Sequence, residues 1–397
     1  MNLYFQPEYV SKFKCDGSKC NAKCCKQWRI YVDKVTYQKY PQDVRAHMQF
    51  DDKHNLYLME LDDKQCCPFL NADKLCRLQL QYGADFLSTT CTTYPRYTRN
   101  FKRFFERSLT LSCPVAAELI LFNPNPMQFE LVELSEEMHS LGGKIEMAHV
   151  SCSEKLAPRM LETQIAMISI LQERTLTIDQ RLVVLGFFLD KLDEITTGGV
   201  NEFALIKLID AYESKQFLAE QVPLMLQTVH FNPRRFIGLM LKLFNTLYGG
   251  TNEPFVIKVA DALQIVPDKN NRVAISAIVA NYQRLAYKRN AFLASHSSFL
   301  ENYLVNELFM HCYPWRYDKN VAANYGLFVT TYKIFELILF AATLEGLDSK
   351  GDLIEIVSWF TRKVNHVKQL HDIIVKQLKS DSFGLMETFL DTKRAVL

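Results

Sequence analysis

The 397-residue sequence has no G-x-G triplet anywhere. A doubly wound nucleotide-binding sheet carries a glycine-rich turn after its first strand, so a cofactor site of that kind is excluded. The nine histidines make no H-x3-H or HExxH pair, and none is assigned to a metal. No apolar run approaches the roughly 18 residues that a membrane span requires; the best, Val183 to Leu189, is seven long. The opening MNLYFQPEYV lacks the basic and apolar regions of a secretory leader. A cytoplasmic protein with no transmembrane segment is therefore expected. Only 14 glycines and 13 prolines are present, too few for a fibrous or low-complexity chain. A net charge of +2 leaves little excess for wholesale nucleic-acid binding, and no such partner is expected.

Cysteine, by contrast, is abundant in one place. Cys15, Cys20, Cys24, Cys25, Cys66, Cys67, Cys76, Cys91 and Cys113 are nine of the eleven in the chain. In a reducing compartment a dense group of this kind points to metal rather than disulfides. Soft thiolates suit zinc or an iron–sulfur cluster, and each takes about four ligands.

The spacings narrow the choice. Cys15-x4-Cys20-x3-Cys24-Cys25 is threaded with Lys14, Lys19, Lys23 and Lys26, and basic neighbours favour the thiolate that a metal requires. A radical-SAM loop, C-x3-C-x2-C, would need cysteine at position 27, where Gln27 stands. Successive side chains diverge, so each adjacent pair is expected to supply one ligand. A four-thiol site would then draw on Cys24/Cys25, Cys66/Cys67, Cys76 and Cys91, with Cys20 next in reserve, followed by Cys15 and Cys113. The metal candidates carried forward are Cys20, Cys25, Cys67, Cys76 and Cys91. Tyr94 and Arg96 adjoin Cys91 and are candidates for a cofactor pocket, while no catalytic group can be named. Residues 94–107 hold five basic side chains and one acidic. They read as a solvated face with Phe101, Phe104 and Phe105 turned inward. Cys152 and Cys312 read as ordinary small buried residues.

The expected fold is mainly α. A small irregular cysteine-rich metal-binding domain covers 1–118, beginning with a lead-in over 1–14. A linker spans 119–152, where Pro124 and Pro126 interrupt any element, and an all-helical domain covers 153–397. In the helical part, Thr177-x-x-Gln180 is a capping box, and Asn232-Pro233 reads as N-cap and first helical residue. Further helical runs fall near 253–264, 270–288, 298–311, 320–344, 351–364 and 366–378.

Cys20-Asn-Ala-Lys-Cys-Cys25-Lys-Gln-Trp28, Cys67-Pro-Phe-Leu70, Cys76-Arg-Leu78, Cys91-Thr-Thr-Tyr-Pro-Arg96 and Leu109-Thr-Leu-Ser-Cys-Pro114 together resemble the flagellin lysine N-methyltransferase family. So does Leu300-Glu-Asn-Tyr-Leu-Val-Asn-Glu-Leu-Phe309, followed by Tyr313-Pro314. The cysteine segment is also similar to a broader group of small proteins described as zinc- or iron-chelating. The resemblance implies S-adenosylmethionine-dependent methylation of lysine ε-amines on flagellin, in the cytoplasm before export. It also implies an iron–sulfur cluster on the cysteines, with zinc as the alternative. A non-enzymatic metal-binding interaction protein and an electron carrier are the competing readings.

Overall fold

The computed structural model describes residues 2–135, 144–146, 159–262, 274–315, 320–365 and 382–391, except 18–19, 21, 27–28, 102–103, 198 and 249–253. The chain divides into two compact units, Met1–Ile120 with Met127–His149, and Leu121–Pro126 with Val150–Leu397. The first is rich in strands and the second is helical, so the molecule is mainly α.

In the first unit a five-stranded sheet is built from β1 (Asn2–Pro7), β5 (Arg96–Asn100), β6 (Phe105–Leu109), β7 (Phe129–Leu134) and β8 (Lys144–Glu146), in the order β7-β1-β6-β5-β8. The segment expected to be a lead-in is thus an interior strand. β1 pairs antiparallel with β7 and parallel with β6, and Tyr4 and Phe5 on it are buried. Aromatic residues favour the strand, and Pro7 sits at its end, where a missing amide costs least. The stretch expected to be a linker, 119–152, is a correction of the same kind. Its residues 129–134 and 144–146 complete the sheet, while 136–143 and 147–152 lie outside the described residues.

The basic segment 94–107 is also corrected. Arg96–Asn100 and Phe105–Leu109 form a hairpin whose register sets Arg99 opposite Glu106. Both side chains are fully buried, with Arg99 Nη2 2.6 Å from Glu106 Oε2. Arg107 is buried as well, its guanidinium stacked over the ring of Tyr4 at 4.5 Å. Among the described residues of the segment Arg99 and Arg107 therefore face inward, and Phe101, Phe104 and Phe105 are only half-buried. A strand alternates its faces, so the buried cations Arg99 and Arg107 fall on opposite faces, the first neutralised by Glu106 and the second packed on the Tyr4 ring.

A smaller three-stranded sheet, in the order β2-β4-β3, comprises β2 (Tyr31–Val32), β3 (Met48–Asp51) and β4 (Leu56–Met59). Short helices flank the two sheets: α1 (Tyr9–Lys12), α2 (Lys34–Lys39), α3 (Gln42–Arg45), α4 (Arg77–Tyr82), α5 (Thr89–Thr93) and α6 (Pro114–Leu121). The core beneath the small sheet consists of Ile30, Val32, Tyr40, Val44, Met48, Met59, Cys67, Phe69 and Leu78.

The second unit begins with α7 (Met160–Leu171), α8 (Ile178–Thr196), α9 (Glu202–Glu213), α10 (Lys215–Thr228), α11 (Pro233–Tyr248) and α12 (Pro254–Ala262). It continues through α13 (Ile275–Arg284), α14 (Ala286–Ser295), α15 (Ser297–Met310), α16 (Val321–Leu344), α17 (Lys350–Phe360) and α18 (Ser382–Phe389). The expected capping box is present, with Gln180 N donating to Thr177 Oγ1 and Thr177 N to Gln180 Oε1. Asn232 caps α11 by accepting from Arg235 N at 3.0 Å. The expected run at 366–378 lies outside the described residues. By length and composition α16 is apolar enough to cross a membrane, with a mean hydropathy of 1.6 over its best window. That window is 89% buried within the protein, which is the setting of a core helix. Lys333 on it reaches Asp179 of α8 at 2.6 Å and Glu336 at 2.7 Å, so its charges are paired internally.

The stretch from Leu300 to Phe309 forms the interior of α15, and every one of its residues is buried. Glu301 there accepts from Arg174 at 2.8 Å and Arg181 at 2.7 Å, and Asn302 Nδ2 donates to the carbonyl of Asn123. Its polar residues tie the helical core together.

Candidate metal centre

Four short segments carry the thiols, and the backbone of each explains where its sulfur goes. Lys23–Cys25 is a single 3-10 turn entered through Ala22 at φ 52°. That turn leaves Cys24 Sγ and Cys25 Sγ only 3.8 Å apart. The expectation that adjacent cysteines diverge therefore does not hold for this pair. Cys67 N donates to Cys25 O at 2.8 Å, and Lys26 bridges Cys66, locking the two segments together.

The Cys66–Cys76 segment folds back on itself through two side-chain turns. Asp62 Oδ1 accepts from Lys64 N and Cys66 N, and Asn71 Oδ1 accepts from Leu75 N. Asp and Asn favour such local acceptor roles. Leu70 then bridges Cys76, which returns Cys76 to the neighbourhood of Cys67. Here the adjacent pair does diverge. Cys67 is buried in the core under the small sheet, and Cys25 and Cys76 pack against that same core, whereas Cys66 Sγ turns to the carbonyl of Lys64.

Cys91 lies in α5, a one-turn helix whose N-cap Ser88 accepts from Cys91 N at 3.3 Å. Thr90 Oγ1 donates to Tyr31 O and Thr89 Oγ1 to Asp33 Oδ2, pinning the turn to β2 and to the start of α2. Cys113 precedes α6, with Ala117 N donating to its carbonyl at 2.9 Å. Cys15, Cys20, Cys24, Cys91 and Cys113 line one cavity of about 40 Å³, with Tyr94 beside them. Tyr94 Oη lies 3.1 Å from Ser112 Oγ. Arg96 does not line the cavity; its guanidinium lies over the ring of Phe13, which does, at 5.2 Å.

The electrostatics of these thiols is mutual. Burial pushes the Cys67 thiol up to about 12, with the negative charges of Cys91, Cys76 and Cys24 adding to it. Burial likewise raises Cys91 to about 11, assisted by Cys76 and Cys24, although the residue keeps solvent access. Cys113 is raised to about 12 by burial, opposed by the amides of Ala116 and Val115 at the start of α6. Cys15 is raised by burial and then by Cys24 and Cys20, against the pull of Arg96. In the Cys24–Cys25 pair the hydrogen bond lowers Cys24 and raises Cys25, so Cys24 gives up its proton more readily than its neighbour. A group of sulfurs that destabilise one another's anions is compensated by a cation bound among them. The all-sulfur donor set, with backbone amides directed at it, fits zinc or an iron–sulfur cluster. Among the described residues, no three Cys, His, Asp or Glu side chains stand close enough as placed to hold one ion, so binding requires the thiols to close up.

Of the residues singled out in the sequence, Cys25, Cys67 and Cys76 share the core of the small sheet, while Cys20 and Cys91 line the cavity with Tyr94. Cys15, Cys24 and Cys113 line it too. Their signal in the sequence was membership of the same dense segment, without a spacing that ranked them above the others. Cys312 is buried, with Gln164 Nε2 3.9 Å from its sulfur; Cys152 lies outside the described residues.

Comparison with known proteins bears on the helical unit. The FliB lysine N-methylase C-terminal domain matches residues 164–390, more than half of the chain. The flagellar biosynthetic protein FliU of Salmonella muenchen is 35% identical over 133 residues, covering 31% of this chain and 79% of that protein. Lysine-N-methylases of Salmonella typhimurium and Salmonella choleraesuis are each 35% identical over 133 residues, again 31% of this chain. The matched region spans 33% of the length of each methylase. No solved structure matches the chain.

Proposed function

The chain belongs to the FliB lysine N-methylase family, a family of protein-lysine N-methyltransferases, and on that premise we propose that it methylates lysine ε-amines of flagellin with S-adenosylmethionine as donor. The observation that carries this reading is the family match across residues 164–390. A flagellar relative, FliU, agrees with a flagellar substrate. The site of action proposed is the cytoplasm, before the flagellin subunit is exported. Enzyme rather than interaction module is the favoured reading, because the family model over residues 164–390 and two of the relatives carry the name lysine N-methylase.

Methyl transfer from a sulfonium to an amine is a displacement. The lysine nitrogen forms the new N–C bond, the S–C bond breaks, and the sulfur leaves as a neutral thioether. The amine must first lose a proton. Its ordinary pKa is about 10.4, so a desolvating pocket or a nearby base has to favour the neutral form. Tyr94 and Arg96 are the proposed cofactor-binding residues. A guanidinium suits the carboxylate at the amino-acid end of the donor, and Tyr94 stands at the cavity wall beside Cys91.

Cys25, Cys67, Cys76 and Cys91 are the proposed metal ligands, holding an iron–sulfur cluster or, alternatively, zinc. Such a group supplies folding energy by neutralising buried thiolates. The sulfurs of this chain anchor loops that the small sheet alone leaves without a large core. Incubation of the purified full chain with tritium-labelled S-adenosylmethionine and flagellin is expected to put label on flagellin lysines. Absence of label with metal-replete protein overturns the activity, and the metal bound is identified by anaerobic iron, sulfide and zinc analysis.

A further inference from the structure

We propose that the groove between α7 and α9 is a docking site for flagellin, taking a protonated lysine side chain and the apolar residues beside it. The inference rests on the proposed function for the identity of the partner. It adds where a part of that partner remote from the reaction is held.

The floor of the groove is aliphatic and its rim is acidic. Ile165 from α7 and Ile206 and Ile209 from α9 line it, around a space of about 280 Å³. Ile165 is 40% exposed, although Ile168 and Ile170 on the same helix are buried. Helical spacing explains the layout. Positions 206, 209, 210 and 213 share one face of α9, so its isoleucines run directly into Asp210 and Glu213. Phe203, one turn earlier on that face, is 68% exposed and extends the apolar strip beyond the groove.

The charges on the rim are unevenly matched. Arg159, at the N-cap of α7, donates to Glu162 at 2.8 Å and to Glu202 at 3.0 Å. The ammonium of Lys207 lies over the Phe203 ring, 4.4 Å from its centroid. Asp210 and Glu213 are exposed and take part in no ion pair among the described residues. Around the groove one arginine thus stands against the three carboxylates of Glu162, Asp210 and Glu213.

An aliphatic floor beneath an acidic rim is the complement of a lysine. Its four-carbon stem covers apolar surface while the ammonium reaches outward to charge. Unmatched negative charge draws such a partner in and fixes its register. Among the described residues no aromatic side chain lines the groove, so it offers no platform for the base of a nucleoside donor. Carboxylates also favour the charged amine, whereas methyl transfer requires a neutral one. The lysine held here is bound and does not react, and the groove docks the substrate away from the chemistry.

The test measures binding of fluorescently labelled flagellin monomer to the full chain without S-adenosylmethionine. Asp210→Asn/Glu213→Gln removes the two open charges, and Ile165→Lys places a cation on the floor. Each is expected to raise Kd roughly five- to tenfold, with the difference narrowing at high salt. Glu220→Gln, on α10 outside the groove, should leave Kd unchanged. Flagellin with acetylated, uncharged lysines should bind the wild-type chain more weakly by a similar factor, a comparison that needs no variant. Equal Kd for wild type and both variants overturns the inference, and so does failure of the wild-type chain to bind flagellin. A double variant altered in self-association, read by sedimentation, but not in flagellin binding assigns the groove to a second copy of the chain and overturns it as well. A chain that binds flagellin through these residues but transfers no methyl group refutes the proposed activity and leaves the docking site standing.

Discussion

Arg99 and Glu106 face each other across β5 and β6 with neither side chain exposed. Glu106 Oε2 accepts from both Arg99 Nε and Nη2, the two-point geometry in which a guanidinium is hard to replace. Removing one partner of a buried pair leaves an uncompensated charge, at a cost of about 3–5 kcal/mol. Arg99→Met should lower the stability of the strand-rich unit by that amount, read from the midpoint of its guanidinium unfolding. Arg99→Met/Glu106→Leu should recover most of the loss, because the penalty lies in the orphaned carboxylate. A recovery of nothing would show that the pair itself, and not desolvation of its remnant, dominates. This pair also marks a limit of sequence reading at the scale of residues. Five cations in fourteen positions resemble a surface, and only the register of the hairpin shows which of them faces a carboxylate inside. The thiols behave similarly. Their concentration between Cys15 and Cys113 is visible at once. Their sorting into a core-packing group and a cavity-lining group depends on the 3-10 turn at Lys23–Cys25 and on where α6 begins, neither of which the spacing encodes.

Two contacts between elements are predicted to be sensitive. Asp33 is the N-cap of α2, accepting from Thr36 N at 2.8 Å, and it also accepts from Thr89 Oγ1 of α5 at 2.9 Å. One carboxylate therefore both starts a helix and fastens the turn that carries Cys91. Burial opposes the ionised form of Asp33, but the hydrogen bonds from Thr36 and Thr89 outweigh it and hold the pKa below the usual carboxylate range. Because the folded pKa is depressed, this stabilisation is complete above the unfolded value of about 3.9 and fades as pH falls through the folded value. Asp33→Ala is expected to cost about 1 kcal/mol at neutral pH. The gap in thermal midpoint between variant and wild type should close as the pH drops below about 4; a gap independent of pH would rule out the carboxylate as its source. In the helical unit, Gly186 of α8 lies against Tyr325 of α16 and Met386 of α18. A Cβ there would come within 2.8 Å of both the Tyr325 hydroxyl and Met386 Sδ. Tyr325 Oη donates to Leu182 O at 2.8 Å, so the ring cannot move away freely. Gly186→Ala should therefore destabilise that unit by about 1–3 kcal/mol, despite the better helix propensity of alanine. Helices at this scale were legible from caps and apolar spacing, as at Thr177 and Asn232. Strands were less so: β1 is short and ends in proline, and β7 pairs with a partner 124 residues away at Gln6–Glu130, a separation that local patterning does not register.

At the scale of the whole molecule the two units draw on different sources of stability, and metal removal should separate them. The helical unit buries long apolar stretches, with α15 and α16 almost wholly enclosed, and its charges are matched internally at Lys333 and at Glu301. In the strand-rich unit the small sheet has a modest core, of which Cys67 is itself a member. Its thiols are raised by burial and by one another, so a bound cation contributes there what hydrophobic contact does not. Structural metal sites contribute on the order of 10 kcal/mol to folding in small domains. Chelation without oxygen should then loosen the segment between Cys15 and Cys113 while leaving the helical unit intact. Limited proteolysis of chelated protein is expected to cut within that segment and to leave a protected fragment containing residues 160–262 and 274–344, with the helical circular dichroism largely retained. Restoring metal before the protease should restore protection. Equal resistance of the cysteine segment with and without metal would mean that its thiols are held by packing alone, and the metal centre proposed for them would have no part in the fold.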